Sequence, residues 1–209
     1  MMRAIFGGTF DPIHNGHIET ASALINELNI STLSLMPSAI PPHRPQPGAS
    51  ASHRLEMVKL ACSHHPAFEA EDWELKQDRP SYTANTLSEF NNRFPDDSLL
   101  FVMGMDSLMS LHRWHQWQQL SDYAHLVVMP RPGVDFNVEN ERLKDFISTH
   151  LTHVKGDLEH QKSGLLYIAK TPMVDVSATE LRERLQHREH DLPLPDTIYD
   201  YIRQHQLYL

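Results

Sequence analysis

Short apolar runs that stop at glycine or proline and give way to helical spacing recur along this chain, and they constrain its fold more than any other feature. Residues 99–103, Leu-Leu-Phe-Val-Met, form the clearest run, and Gly104 ends it. A continuous run of this length bounded by a breaker reads as a strand buried on both faces. Further runs lie at 3–7, ending in glycine, at 32–36, stopped by Pro37, at 124–129, closed by Pro-Arg-Pro-Gly, and at 164–170. Between the first two, Ile18, Ala21, Leu24, Ile25 and Leu28 recur at helical spacing across 16–28. Helices are also expected over 53–64, 83–93, 106–120 with a break near Arg113, 137–151, from Ser177 onward, and 196–205; residues 67–75 read as extended. Strands alternating with helices from end to end predict an α/β fold, a parallel sheet flanked by helices on both faces. No repeat, low-complexity tract or linker interrupts the pattern. One domain over 1–209 is expected, with the part after about 171 forming a small helical subdomain.

The bulk numbers narrow the function. A chain of 209 residues with 40% apolar content can bury one sizeable core. No apolar run approaches the roughly 18 residues that span a membrane, and the apolar stretch after Arg3 is too short for a signal-peptide core. A cytoplasmic protein with no membrane partner is expected. The single cysteine, Cys62, excludes an internal disulfide and a cysteine-rich zinc site, and it reads as a small buried residue. A net charge of −9 argues against a nucleic-acid partner. It does not argue against a phosphate site, because a cleft focuses the field of a few local cations.

In an open parallel sheet, ligands bind beyond the carboxyl ends of the strands, where the topology switches. The segment that would lie there after the first strand is Gly7-Gly8-Thr9-Phe10-Asp11-Pro12, followed by His14-Asn15-Gly16-His17 and a helix. Glycines let backbone N–H groups approach an anion, and a helix start adds donors and the positive end of a dipole. The two histidines add compact donors that can be charged when phosphate is near. The chain lacks the P-loop pattern, the G-x-G-x-x-G fingerprint and H-E-x-x-H. His112 with His115, and His64 with His65, lack a third ligand at useful spacing and read as surface residues, so no protein metal site is expected.

The stretch "GGTFDPIHNGH" resembles the N-terminal signature of the nucleotidyltransferases that carry an H/T-x-G-H motif. That superfamily joins a nucleoside triphosphate to a phosphate-bearing partner and releases pyrophosphate. Its second signature, Ser/Thr residues at a helix mouth followed by arginine, is matched by Val176-Ser177-Ala178-Thr179-Glu180-Leu181-Arg182. Ser177 and Glu180 also read as a capping box, which is compatible with phosphate binding. "PPHRP" at 41–45, "PSYTANTL" at 80–87, "GMDSL" at 104–108 with Trp114 after it, and "RPG" at 131–133 follow the order seen in bacterial nicotinate mononucleotide adenylyltransferases. The resemblance covers essentially the whole chain. It implies a Rossmann-like sheet of the nucleotidyltransferase type.

The implied reaction is attack by the phosphate of nicotinate mononucleotide on the α-phosphorus of ATP. Its products are nicotinate adenine dinucleotide and pyrophosphate, on the route to NAD. By this resemblance His14, His17 and Arg182 are catalytic, with His17 closest to the α-phosphate. Gly8, Thr9 and Phe10 line the phosphate and nucleoside path. Ser177, Thr179 and Arg182 hold the outer phosphates. Gly104 and Asp106 meet the adenosine, although Asp106 also suits a helix N-cap. Thr83 and Ala84 receive the nicotinate carboxylate, Trp114 stacks on the pyridine or packs in the core, and Tyr82 flanks the site. His43 and Arg44 reach the mononucleotide phosphate. Mg²⁺ is expected to ride on the ATP phosphates with no dedicated protein ligands. A homo-oligomer is compatible with the sequence. Pro130 and Ala178 depart from the pattern: the first leaves Arg131 as the lone cation of its turn with no assigned role, the second removes a hydroxyl. A nucleotide-sensing regulator and a transferase with another acceptor are the competing readings, and the choice of acid over amide stays open.

Overall fold

The computed structural model describes residues 1–39, 46–77, 81–133 and 136–209. His43 and Arg44 lie outside them. The chain runs β1 (Met2–Gly8), α1 (Asn15–Leu28), β2 (Thr32–Pro37), α2 (Ala51–Ser63), β3 (Phe68–Ala70), α3 (Thr83–Arg93), β4 (Ser98–Gly104) and α4 (Met105–Ser110). It continues with α5 (Leu120–Tyr123), β5 (His125–Met129), α6 (Glu141–His150), β6 (Leu151–Thr152), α7 (Asp157–His160), β7 (Leu166–Ile168), α8 (Ala178–Gln186) and α9 (Asp196–Gln204). Among the described residues the strands form one sheet in the order β3-β2-β1-β4-β5-β7-β6, with every neighbouring pair parallel. The chain winds outward from β1 to β3, then returns to the other side of β1 with β4. That reversal makes the carboxyl ends of β1 and β4 the switch point.

Alternation along the central strands feeds two apolar layers. In β4, Leu100 and Val102 point to one face, and Leu99, Phe101 and Met103 to the other. The first face is covered by Leu24 of α1, Met57 of α2, Leu181 of α8 and Ile198 of α9. The second is covered by Leu87 of α3, Leu108 of α4 and Phe146 of α6. Both faces of the sheet are therefore dry, which is why its strands read as unbroken apolar runs. The segment after 171, read from the sequence as a small helical subdomain, packs Leu181, Leu185, Ile198 and Ile202 into the same cluster as α1 and α2.

Several boundaries differ from the sequence expectations. The helix expected over 137–151 starts at Glu141, because the Asn140 side chain accepts the Leu143 N–H at 3.0 Å. It ends where Leu151 leaves to pair with β7 as the short strand β6. The break expected near Arg113 falls at 114–116, where Gln116 takes a left-handed backbone at φ 50°. Of the extended segment 67–75, only Phe68–Ala70 pairs, with β2, and Glu74–Lys76 is a 3₁₀ turn. No described helix is long and apolar enough to cross a membrane.

Candidate active site

β1 delivers Gly7 and Gly8 to the switch point, and the chain then turns sharply. A Cβ on Gly8 would lie 2.9 Å from the Phe10 ring, so only glycine fits there. Phe10 adopts φ 49°, and its buried ring meets Phe6 and His17 edge-on at 5.6 and 5.1 Å. The Asp11–Pro12 bond is cis. His14 then caps α1 in an extended conformation, φ −145° and ψ 172°. Gly16 sits where a Cβ would lie 3.1 Å from the His14 ring and 3.2 Å from Val176, so the H-x-G-H glycine makes room for the segment that precedes α8.

The two histidines form one unit. Their rings stack at 3.7 Å between centroids and 27° between planes. His17 Nδ1 accepts the His14 backbone N–H at 3.3 Å, so the neutral His17 ring carries its proton on Nε2. Burial, followed by the Arg131 charge, pushes His14 down to about 4. Burial, followed by His14 and Arg131, holds His17 well below the usual histidine range. In the free protein both rings are neutral at pH 7; the sequence expectation concerned donors that can be charged when phosphate is near. His14 is buried, and among the described residues its Nδ1 has no hydrogen-bond partner. A buried polar atom of this kind costs free energy until something pairs with it, which suits a ligand.

Asp11 organises the turn. Its carboxylate accepts the N–H groups of Gly48 and Ala49 at 2.7 and 3.0 Å and the Tyr208 hydroxyl at 2.6 Å. Arg182 from α8 donates through Nη1 to the Asp11 carbonyl at 2.8 Å, lies 3.7 Å from its carboxylate, and donates through Nη2 to Thr179 at 3.2 Å. Beneath the turn, Arg54 of α2 is 1% exposed and donates to the carbonyls of Thr9 and Ser38 at 2.7 and 2.9 Å. Sequence reasoning missed the parts played by Asp11, Arg54 and Tyr208. Asp11 at least lay inside the glycine-rich signature. Arg54 sits in an unremarkable helical stretch, and Tyr208 meets Asp11 across 197 residues, a distance at which local pattern carries no signal.

The capping box expected from Ser177 and Glu180 is not formed. Ser177 caps α8 by its backbone, makes no side-chain cap bond, and lines the cleft. Asp106 is not a helix cap either, because Gly104 holds that position in α4. Asp106 instead accepts from Arg131 Nη1 at 3.2 Å, which gives Arg131 the partner that the sequence left unassigned. These groups surround a cleft of about 410 Å³. Gly8, Thr9, Phe10, His14, His17, Gly104, Asp106, Ser177, Thr179 and Arg182 all line it.

The residues expected at the second substrate lie elsewhere. Tyr82, Thr83, Ala84 and Trp114 do not line that cleft and gather on the sheet face covered by α3 and α4. As the first residues of α3, Thr83 and Ala84 have no intrahelical carbonyl for their N–H groups. The α3 start is buttressed by Glu74, whose carboxylate accepts the Thr86 hydroxyl at 2.9 Å and is pushed up by burial. Trp114 meets Phe101 edge-on at 6.3 Å, and Phe101 lies 3.6 Å from where a Gly7 Cβ would stand, so the two regions touch through one ring at the switch point. Tyr82 packs on His115 at 4.4 Å. Trp117 is core, against Phe146. Among the described residues no group of three or more His, Cys, Asp or Glu could hold a metal.

A parallel sheet reversing at β1 and β4, with this cleft at the reversal, is a doubly wound α/β fold with its ligand-binding place at the switch point. A family model described as cytidylyltransferase-like matches residues 5–184. A curated relative from Idiomarina loihiensis, "Probable nicotinate-nucleotide adenylyltransferase", is 73% identical over 209 residues, the whole of both chains. A relative of the same name from Pectobacterium atrosepticum is 43% identical over 99% of this chain and 98% of its own. Among solved structures, Plasmodium falciparum nicotinic acid mononucleotide adenylyltransferase complexed with NaAD aligns at a TM-score of 0.73 and 17% identity, over 99% of this chain and 97% of the other. That likeness shows the fold. The chain belongs to the cytidylyltransferase-like family, within its nicotinate-nucleotide adenylyltransferase branch.

Proposed function

We propose that the protein transfers AMP from ATP to nicotinate mononucleotide, releasing pyrophosphate and forming nicotinate adenine dinucleotide for NAD synthesis in the cytoplasm. The observation that carries this reading is the convergence of residues from β1, α1, β4 and α8 on one cleft at the switch point. The names of the full-length relatives supply the acceptor.

In the proposed reaction a phosphate oxygen of the mononucleotide bonds to the α-phosphorus of ATP. The bond from that phosphorus to the bridging oxygen breaks, and its electron pair leaves with pyrophosphate. The attacking phosphate is already ionised near neutral pH, so no general base is needed. The obstacle is repulsion between two polyanions, and catalysis rests on positioning and on donors aimed at the charge that spreads over the non-bridging oxygens. His17 donates from Nε2 to the α-phosphate, while its Nδ1 is held by the His14 backbone. His14 offers the buried Nδ1 that lacks a partner among the described residues. Ser177, Thr179 and Arg182 hold the outer phosphates and the departing pyrophosphate.

ATP enters as its Mg²⁺ complex, in which the metal neutralises part of the triphosphate charge. The two carboxylates of the cleft suit a metal carried by the substrate, because Asp11 is already engaged by three donors and Asp106 by Arg131. The nicotinate carboxylate is received by the free N–H groups at the start of α3. Trp114 and Tyr82 frame the pyridine, and His43 and Arg44 reach the mononucleotide phosphate.

The test is pyrophosphate release from Mg²⁺-ATP with nicotinate mononucleotide, nicotinamide mononucleotide or phosphopantetheine, using wild type and His17→Ala. The reading requires a strong nicotinate preference and a loss of about two to three powers of ten in rate in the variant. Equal use of the amide would remove the carboxylate pocket. No turnover with any acceptor would leave a nucleotide-binding protein.

A further inference from the structure

Tyr208 stands far from the histidines in sequence and is used by no step of the reaction above, yet its phenol reaches Asp11 in the wall of the site. The hydroxyl donates to Asp11 Oδ1 at 2.6 Å. Its ring lies over Gly48, where an added Cβ would stand 3.1 Å from it and 3.4 Å from the Arg182 Cδ. Asp11 is 5% exposed, and its other contacts are the two backbone amides of Gly48 and Ala49 and the ion pair with Arg182. The Arg182 guanidinium is thus held from two sides. The Asp11 carbonyl and carboxylate fix Nη1, and the Thr179 hydroxyl fixes Nη2. Tyr208 and the Arg182 stem both border the space over Gly48, and the phenol engages Oδ1 of the carboxylate whose Oδ2 lies 3.7 Å from the Arg182 head.

We propose that Tyr208 is a positioning residue for Arg182, and that the hydrogen bond from its phenol to Asp11 sets the direction in which the guanidinium meets the outer phosphates of ATP. The physical argument is charge balance in a buried corner. A carboxylate with no third donor would draw Arg182 inward into a tighter ion pair, away from the cleft, because a buried charge takes the strongest partner within reach. With the phenol in place, Asp11 takes three neutral donors at hydrogen-bond distance, its carboxylate stays 3.7 Å from Arg182, and Arg182 remains 30% exposed on the cleft wall. The inference rests on the reading that Arg182 grips the phosphates.

The experiment is a double-mutant cycle read by calorimetric binding of Mg²⁺-ATP without acceptor, on wild type, Tyr208→Phe, Arg182→Ala and the double variant. Phenylalanine keeps the ring over Gly48 and removes only the hydroxyl. Tyr208→Phe should weaken ATP binding about 10-fold, and the double variant should bind no more weakly than Arg182→Ala alone. The KM for the acceptor should stay unchanged. A Tyr208→Phe loss that persists in full on top of Arg182→Ala overturns the inference, because the hydroxyl then acts independently of Arg182. So does a lowered melting temperature with unchanged ATP affinity, which would make the contact merely structural. Wild type that fails to bind ATP overturns the reading of the cleft and this inference with it. Wild type that binds beside a Tyr208→Phe that matches it overturns this inference alone.

Discussion

The imidazoles of His14 and His17 lie face to face, 3.7 Å between centroids, with the His14 backbone N–H donating to His17 Nδ1 at 3.3 Å. Two stacked rings in a buried corner cannot both carry charge, since burial penalises each imidazolium and each opposes the other. The free site therefore holds a pair of neutral rings.

This gives the first prediction. Between pH 7 and 9, kcat/KM for ATP should be flat as far as these histidines are concerned, because neither titrates there. A steady-state pH profile checks it. A fall of tenfold per unit beginning near pH 6.5 would show that an imidazolium is required and that the stack is rearranged in the complex.

The second prediction concerns stability. The folded-state pKa of His14 is depressed from 6.5 to about 4 by burial and by Arg131. A depressed pKa means that the unfolded chain binds the proton first. The stabilising effect is therefore present above pH 6.5 and is lost as pH falls toward 4. The shift corresponds to about 3 kcal/mol at full protonation. Urea unfolding at a series of pH values should show that slope in wild type. His14→Asn, which keeps a good N-cap, should lose that much less stability over the same window.

Gly16→Ala should separate stability from rate. The added methyl gains helix propensity but stands 3.1 Å from the His14 ring and 3.2 Å from Val176. The ring must then slide on His17, or the segment before α8 must move away. The expected outcome is a change in stability within about 1 kcal/mol, from the propensity gain set against the crowding, with kcat down about tenfold. Thermal melts and turnover on one preparation test this, and an unchanged kcat would mean that the stack tolerates displacement.

Arg54→Met should destabilise the protein by about 3 kcal/mol, because the Thr9 and Ser38 carbonyls lose charged donors in a buried place. Thr9 lies in the glycine-rich turn and Ser38 donates its N–H to the Gly8 carbonyl at 2.8 Å, so ATP affinity should fall as well. Denaturant unfolding with calorimetric binding decides it. A stable variant with weakened binding would show that Arg54 supports the turn alone.

The fold was legible because both faces of the central strands are covered. That burial makes Leu99–Met103 an unbroken apolar run and leaves Ile18, Ala21, Leu24 and Leu28 in helical register. The edges were not legible. The two-residue strand Leu151–Thr152 exists only because Leu166 and Tyr167 lie beside it, and no local preference announces such a pairing. The same division runs through the site. The glycine spacing of Gly7-Gly8 and Gly16, the histidine pair and the Ser177–Arg182 stretch are local patterns, and each implies donors at a helix or strand end wherever it folds. Their neutrality, the Asp106–Arg131 pair and the engagement of Arg182 by Asp11 depend on burial and on partners distant in sequence. The sequence by itself determined which groups gather at the cleft, because turn and helix-start chemistry is written in adjacent residues. Only the tertiary structure decided their charge and aim, because desolvation and the Tyr208–Asp11–Arg182 contacts arise when segments as far apart as 11 and 208 pack together.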